Sequence, residues 1–146
     1  MRKGFGLISA IIILLLVSTL MVVVVKVAFI SVKHASDTYL QQRAELFMQS
    51  VTENALLAIE GYNRKENNNC LTKMHFVDEN KKFEANVTVL RYYCYDMSDC
   101  PCGSLTKKIK TDKSHGYVLL KIVVEGNETL LGGKKIRLSQ VSLQRP

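Results

Sequence analysis

The first 33 residues constrain this chain most, because they contain an apolar run that a water-soluble fold could not leave exposed. Residues 5–25 are 21 consecutive residues without a charge, and the run resumes after Lys26 as far as Lys33. As an α-helix, such a run extends about 31 Å, which matches the core of a lipid bilayer. Arg2 and Lys3 precede it, and positive charge on the short side favours a cytoplasmic N-terminus. The sequence therefore predicts a single membrane span over residues 5–33, with the following residues translocated.

A secretory signal that is removed after the apolar run is a weaker alternative. Its cleavage site needs small residues at the cleavage position and two positions before it. Ala28 and Ala35 are the candidate cleavage positions. Each has a lysine two positions before it, Lys26 and Lys33, where a small residue is needed. The first cysteine is Cys70, so no lipidated cysteine follows the run directly. The apolar segment is therefore expected to stay in the mature protein.

The start of the run carries a more specific pattern, RKGFGLISAIIILLLVSTLM. A short basic leader ends in Gly4, and Phe5 opens the apolar residues. This resembles the class III signal of type IV pilins and type II secretion pseudopilins over about 20 of the 146 residues. The resemblance implies that residues 1–4 are a leader, that a prepilin peptidase cleaves between Gly4 and Phe5, and that Phe5 becomes N-methylated. A plain signal anchor that happens to contain Gly-Phe is the alternative.

Ser9 departs from the family pattern. Pilins usually carry a glutamate four residues after the new N-terminus, and the resemblance gives that glutamate a role in pairing with a neighbouring subunit's terminal amine. An unpaired acidic side chain in the bilayer costs about 2.5–3.5 kcal/mol. A serine hydroxyl can instead bond back to a helix carbonyl one turn earlier. Ser9 therefore favours a minor subunit over the main filament subunit.

The residues after the span predict an α+β fold. An apolar stripe at spacings of three and four residues follows one face of an amphipathic helix over 35–60; its members are Leu40, Ala44, Phe47, Val51, Ala55 and Ala58. No proline or glycine interrupts residues 7–60, and Gly61 is a suitable helix end. We expect one long helix over about 7–60, apolar in its first half and amphipathic in its second.

The residue pattern changes after Gly61. A loop is expected at 63–70, and alternation predicts antiparallel strands in the region 70–146; the segments are 71–77, 83–95, 116–125 and 134–143. The stretch 96–115 is polar and is expected to be an irregular surface loop. The expected architecture is a pilin-like head, residues 34–146, in which the helix covers a small antiparallel sheet.

Four cysteines lie in the translocated part: Cys70, Cys94, Cys100 and Cys102. An even count in an oxidising compartment indicates disulfides. A bond between Cys100 and Cys102 would be strained, because only Pro101 separates them. One of these two is expected to pair with Cys70 and the other with Cys94, in an order that the sequence leaves open. A zinc site with His75 or His115, a redox-active C-P-C pair and free thiols are the alternatives.

Catalytic and cofactor motifs are not evident. The histidines at 34, 75 and 115 are scattered, and no nucleophile elbow, phosphate loop or metalloprotease helix is present. We therefore expect no enzyme activity, no cofactor and no metal. The net charge of +7 includes a basic cluster in the 96–115 stretch. Its members, Lys107, Lys108, Lys110 and Lys113, form a candidate patch for an anionic partner, and DNA is the weakly supported example.

These observations favour a minor pilin-like or pseudopilin-like subunit of a type IV pilus, type II secretion or DNA-uptake filament. Its expected partners are the bacterial inner membrane, a prepilin peptidase and other pilin or pseudopilin subunits. Its head would lie in the periplasm. The alternative is a single-pass membrane protein that never polymerises and carries a periplasmic sensing or scaffolding domain.

Overall fold

A computed structural model describes residues 4–95, 100–109 and 116–145 of the chain. Two helices, α1 (Gly4–Gly61) and α2 (Arg64–Asn67), precede a sheet of five strands. The strands are β1 (Lys73–Val77), β2 (Phe83–Cys94), β3 (Thr106–Lys108), β4 (Gly116–Gly126) and β5 (Arg137–Gln144), and a 3₁₀ turn at Gly103–Leu105 leads into β3. The expected α+β class, with one long N-terminal helix and a small antiparallel sheet, is confirmed.

The chain divides into two compact units, Met1–Leu40 and Gln41–Pro146. Within the described part of the first unit, every residue belongs to α1. The second unit contains the rest of α1, the short helix and the sheet. It is called the head below.

The sheet of the head has the order β1-β2-β4-β5, and all three of these neighbouring pairs are antiparallel. β3 is the exception, because it runs parallel to the end of β2, with Tyr93 beside Lys107. The register between β2 and β4 shifts between Val89 and Arg91, as at a β-bulge. The shift changes which side chains of β2 point inward.

The core lies between one face of the sheet and residues 41–61 of α1. Alternate residues of β2 and β4 are buried, as period-2 patterning predicts; they are Phe83, Ala85, Val87, Val89, Val118, Leu120, Ile122 and Val124. The rings of Phe47 and Phe83 join helix and sheet at 6.2 Å between centroids. The helix buries Ala44, Val51 and Ala55 fully or almost fully.

Ala58 was a wrong assignment to the buried stripe. Ala58 is exposed, whereas Ile59 is fully buried. A step of four residues from Ala55 leads to Ile59, because 3.6 residues per turn makes the buried face drift along the helix. The large side chain at 59 therefore closes the core near the end of α1.

Two segments that were expected to be irregular contain regular structure. Residues 64–67 of the expected 63–70 loop form α2, which begins where the Asn63 side chain accepts a hydrogen bond from the Glu66 N–H at 3.3 Å. Within the expected 96–115 loop, residues 103–108 form the 3₁₀ turn and β3. Residues 100–102 and 109 of that stretch belong to no helix or strand, and residues 96–99 and 110–115 lie outside the described residues.

Candidate functional site

The apolar part of α1 is exposed along its whole described length. Its large side chains between Leu7 and Val32 are 49–72% exposed. This helix is long and apolar enough to cross a membrane, and none of the residues in its most apolar window is buried. A core helix of a water-soluble domain would bury one face, so this stretch requires an apolar environment that the described chain does not supply.

Three hydroxyl side chains of this apolar stretch donate hydrogen bonds to carbonyls of their own helix. Ser9 donates to the Gly6 carbonyl at 3.0 Å, Ser18 to Leu15 at 2.9 Å and Thr19 to Leu16 at 2.8 Å. Such local bonds let hydroxyls enter a low-dielectric medium without an unpaired donor. Ser9 therefore adds neither a charge nor a free donor to the helix surface.

The candidate cleavage position lies at the start of α1. Gly4 is the first described residue of α1, while Met1 to Lys3 and the side chain of Phe5 lie outside the described residues.

Two disulfides tie the head together. Cys70 pairs with Cys102, with 5.3 Å between Cα atoms, and Cys94 pairs with Cys100, with 6.5 Å. The structure thus fixes the order that the sequence left open. The Cys102 N–H donates to the Cys100 carbonyl at 2.8 Å, so the chain turns tightly around Pro101. The Cys94–Cys100 bond ties the segment before β3 to the end of β2. The Cys70–Cys102 bond ties the same segment to the stretch just before β1.

The other cysteine chemistries find no support in the described ranges. None of the four cysteines is a free thiol, and residues 4–95, 100–109 and 116–145 contain no group of three or more metal-ligating side chains. His75 lies in β1, where its Nδ1 atom is 3.0 Å from the Asn86 Oδ1 atom. His34 lies in α1, and His115 is outside the described residues.

An arginine–tyrosine contact, which no sequence pattern indicated, organises one end of the head. The Arg64 guanidinium lies 5.3 Å from the centroid of the Tyr92 ring. It also donates to the Ile59 carbonyl at 3.4 Å, at the C-terminal end of α1. The Tyr92 hydroxyl donates to the Leu71 carbonyl at 2.6 Å. Burial raises the pKa of Tyr92 to about 12, and the nearby Arg64 charge opposes that rise.

A cavity of about 180 Å³ adjoins this contact. Its polar lining comes from Glu60, Arg64 and the tyrosines at 92, 93 and 117. Arg64 already interacts with a ring and a carbonyl, so it is a structural cation here. The residues that line the cavity are far apart in the sequence, and no sequence pattern indicated that they lie together.

The candidate anionic-partner patch is only partly described. Lys107 and Lys108 are exposed on β3, whereas Lys110 and Lys113 lie outside the described residues. Two other basic residues of the head are paired with carboxylates, because Lys135 lies 3.5 Å from Glu128 and Arg137 lies 3.2 Å from Glu125. The described lysines alone do not form a built binding site.

Comparison with protein-family models, with curated protein sequences and with solved structures found no match for this chain. The family resemblance of the first 20 or so residues is therefore a hypothesis about function, carried by the residues themselves. The fold and the disulfides are properties of this chain's own structure.

Proposed function

We propose that the chain is a minor pilin-like or pseudopilin-like structural subunit, processed after Gly4 and assembled through its N-terminal helix. The filament would belong to a type IV pilus, a type II secretion machine or a DNA-uptake machine. The observation that carries the proposal is the exposed apolar surface of α1 between Leu7 and Val32, directly after the Gly4–Phe5 pair. That surface can be covered first by lipid and later by the same helices of neighbouring subunits.

The proposed work of the protein is mechanical. Apolar helices would bundle by van der Waals packing, and the heads would present their sheets and loops on the outside. Before assembly the chain would wait in the bacterial inner membrane, with the N-terminus cytoplasmic and the head periplasmic. Two disulfides suit that compartment, because disulfides form and persist where conditions are oxidising.

Ser9 supports the minor role in particular. Its hydroxyl is bonded to Gly6 within the helix, so it offers no charge to a neighbouring subunit's amine. A subunit of this kind can pack into a filament without making the charge pair of the main subunit.

The same residue favours a second candidate function. A single-pass membrane protein that never polymerises has no need of a carboxylate in its span. In that case α1 would be an anchor, and the head would be a periplasmic sensing or scaffolding domain.

Processing distinguishes the two candidates. The full chain is produced in a bacterium that contains a prepilin peptidase, purified from the inner membrane and measured by intact-mass spectrometry. The pilin-like proposal predicts loss of residues 1–4 and addition of one methyl group at Phe5. Gly4→Val should prevent both changes. Gly6→Val is the matched control, because a β-carbon at Gly6 meets no atom within 4 Å.

An intact N-terminus in the presence of active peptidase would contradict the pilin-like proposal. Cleavage of the Gly4→Val variant at an unchanged rate would also contradict it, because the cut would then not depend on the glycine.

A further inference from the structure

The sequence contains two N-x-[ST] sequons, the pattern that accepts N-linked glycans. They lie in the segments 84–88, EANVT, and 125–129, EGNET. Both segments also have a glutamate two residues before the asparagine. Because residues two apart point to the same side of an extended chain, each segment can present a carboxylate, a carboxamide and a hydroxyl on one face. An enzyme that binds the extended chain would meet the same three groups at both sites.

The first sequon is held inside the sheet. Asn86 lies in the middle of β2, across from His75 of β1 on one side and from Val123 of β4 on the other. Its Oδ1 atom is 3.0 Å from the His75 Nδ1 atom. The neighbouring residues Ala85 and Val87 are fully or almost fully buried. This segment could enter an enzyme only if the core of the head opened.

The second sequon leaves the sheet. Glu125 and Gly126 are the last two residues of β4 and are therefore already extended. Residues 127–129 follow in the turn toward β5, and every residue of the segment 125–129 is exposed or half-buried. The turn is closed by hydrogen bonds from the Leu130 and Leu131 N–H groups to the Asn127 carbonyl, at 3.1 and 3.0 Å. Opening the turn takes no side chain of this sequon out of the core.

The reactive groups of the second sequon are accessible. The Asn127 Oδ1 atom accepts a hydrogen bond from the Thr129 N–H at 3.1 Å, whereas no described residue pairs with the Nδ2 atom of the same carboxamide. Thr129 is exposed. The Glu125 carboxylate lies 3.2 Å from Arg137, and its side chain is 52% exposed. An ion pair this exposed contributes little free energy, so the carboxylate can exchange Arg137 for a cation of another protein.

We propose that Asn127 is the acceptor of an N-linked glycan. The donor is an oligosaccharide on a lipid pyrophosphate, and the enzyme is a membrane oligosaccharyltransferase that binds Glu125 through a cation and Thr129 through its hydroxyl. A bond forms between the Asn127 Nδ2 atom and the anomeric carbon of the first sugar, while the bond from that carbon to the pyrophosphate oxygen breaks. The lipid pyrophosphate leaves with the electron pair, and Nδ2 loses one proton to a base of the transferase.

This modification goes beyond the proposed function. It requires that the head is translocated across the membrane, as it is in both candidate functions. It requires neither cleavage after Gly4 nor polymerisation through α1, so its test is independent of theirs.

The first test compares the folded chain with unfolded acceptors. The oxidised full chain in detergent micelles is incubated with a purified bacterial oligosaccharyltransferase and an undecaprenyl-pyrophosphate-linked oligosaccharide. Free peptides of residues 83–91 and 122–134 are incubated in the same way, and the sites are read by mass spectrometry of proteolytic fragments. Both peptides should be modified. In the folded chain, transfer to Asn127 should be at least tenfold faster than transfer to Asn86, because only the second sequon lies outside the sheet.

The second test changes the two flanking groups at exposed positions. Glu125→Gln removes the charge and should slow transfer to Asn127 at least tenfold, whereas the matched control Glu125→Asp keeps the charge and should be modified. Thr129→Ala removes the hydroxyl and should abolish transfer. Its matched control is Thr129→Ser, which keeps the hydroxyl and should accept the glycan.

Four outcomes would overturn the proposal. The free peptide 122–134 fails to accept the glycan, or it accepts the glycan while Asn127 of the folded chain does not. The folded chain is modified at Asn86 as fast as at Asn127. Glu125→Gln is modified at the rate of the unchanged chain.

Discussion

Arg64 and Tyr92 are 28 residues apart in sequence, yet the guanidinium of one lies 5.3 Å from the ring centre of the other. The same guanidinium donates to the Ile59 carbonyl, and the Tyr92 hydroxyl donates to the Leu71 carbonyl at 2.6 Å. This pair therefore connects the end of α1, the chain before β1 and the sheet. Loss of this pair should therefore lower the stability of the whole head.

Tyr92→Phe should lower the free energy of unfolding of the head by about 1–2 kcal/mol. The substitution keeps the ring under Arg64 and removes only the hydroxyl, which leaves a shielded carbonyl without its donor. Chemical denaturation of the full chain in micelles, followed by tyrosine fluorescence, measures the change. Tyr95→Phe is the control, because Tyr95 is 53% exposed. An equal effect of both substitutions would contradict the assignment.

Tyr92 should also make the stability of the head depend on alkaline pH. Its pKa is raised from 10.0 to about 12 in the folded head, so the folded state holds this proton more tightly than the unfolded chain. The stabilisation is full below about pH 10 and is lost as pH rises through about 12. In Tyr92→Phe, unfolding free energies measured across this window should fall less steeply. Parallel curves for the two proteins would refute the link.

Ile59→Ala should destabilise the head by about 2–5 kcal/mol, because it leaves a cavity at a fully buried position. Leu57→Ala removes a side chain of the same size from a position that is 65% exposed. That control should change the unfolding free energy by less than about 0.5 kcal/mol. Thermal unfolding of both variants measures this difference. Similar losses of unfolding free energy would show that the buried face of α1 is assigned wrongly.

Removal of either disulfide should destabilise the head, and the long loop should matter more. Cys70–Cys102 closes a separation of 32 residues, and Cys94–Cys100 closes one of 6. Chain-entropy reasoning assigns them about 3.7 and about 2.2 kcal/mol. Paired serine substitutions, compared by denaturant unfolding, measure each contribution. A larger loss from the short loop would show that contacts, and not loop entropy, set the order.

A charge in the apolar part of α1 should impair membrane insertion. Leu16→Arg places a cation within the span and should cost about 3 kcal/mol of insertion free energy. Leu57→Arg is the matched control, because Leu57 is similarly exposed, at 65% against 58% for Leu16, and lies in the head. The fraction of chain that resists carbonate extraction from membranes should fall only for Leu16→Arg. Equal extraction would argue against a membrane span.

Periodicity predicted the main elements well, because burial acts on side chains at fixed spacings. The alternation within the predicted strand 83–95 agrees with the structure from Phe83 to Val89, where every second residue is buried. The bulge near Leu90 then moves the inward positions to Tyr92 and Cys94. Alternation alone does not reveal a bulge, because a residue is extra only relative to the strand with which it pairs.

Elements that depend on distant contacts escaped sequence reasoning. β3 is three residues long and exists because it lies beside the end of β2, so its own residues carry almost no strand pattern. The contact between Arg64 and Tyr92 likewise depends on how the short helix α2 lies against the sheet. The different surroundings of Asn86 and Asn127 became visible only with the strand order, which local sequence does not specify.

The spacing of the cysteines has a consequence for how the head matures. The alternative isomer, Cys70 with Cys100 and Cys94 with Cys102, would close loops of 30 and 8 residues in place of 32 and 6. Loop entropy separates the two isomers by only about 0.2 kcal/mol. Oxidation of the unfolded chain should thus scramble these bonds, and the native partners are selected only once the segment before β3 has docked. Correct cysteine pairing in this protein therefore follows folding of the head and does not direct it.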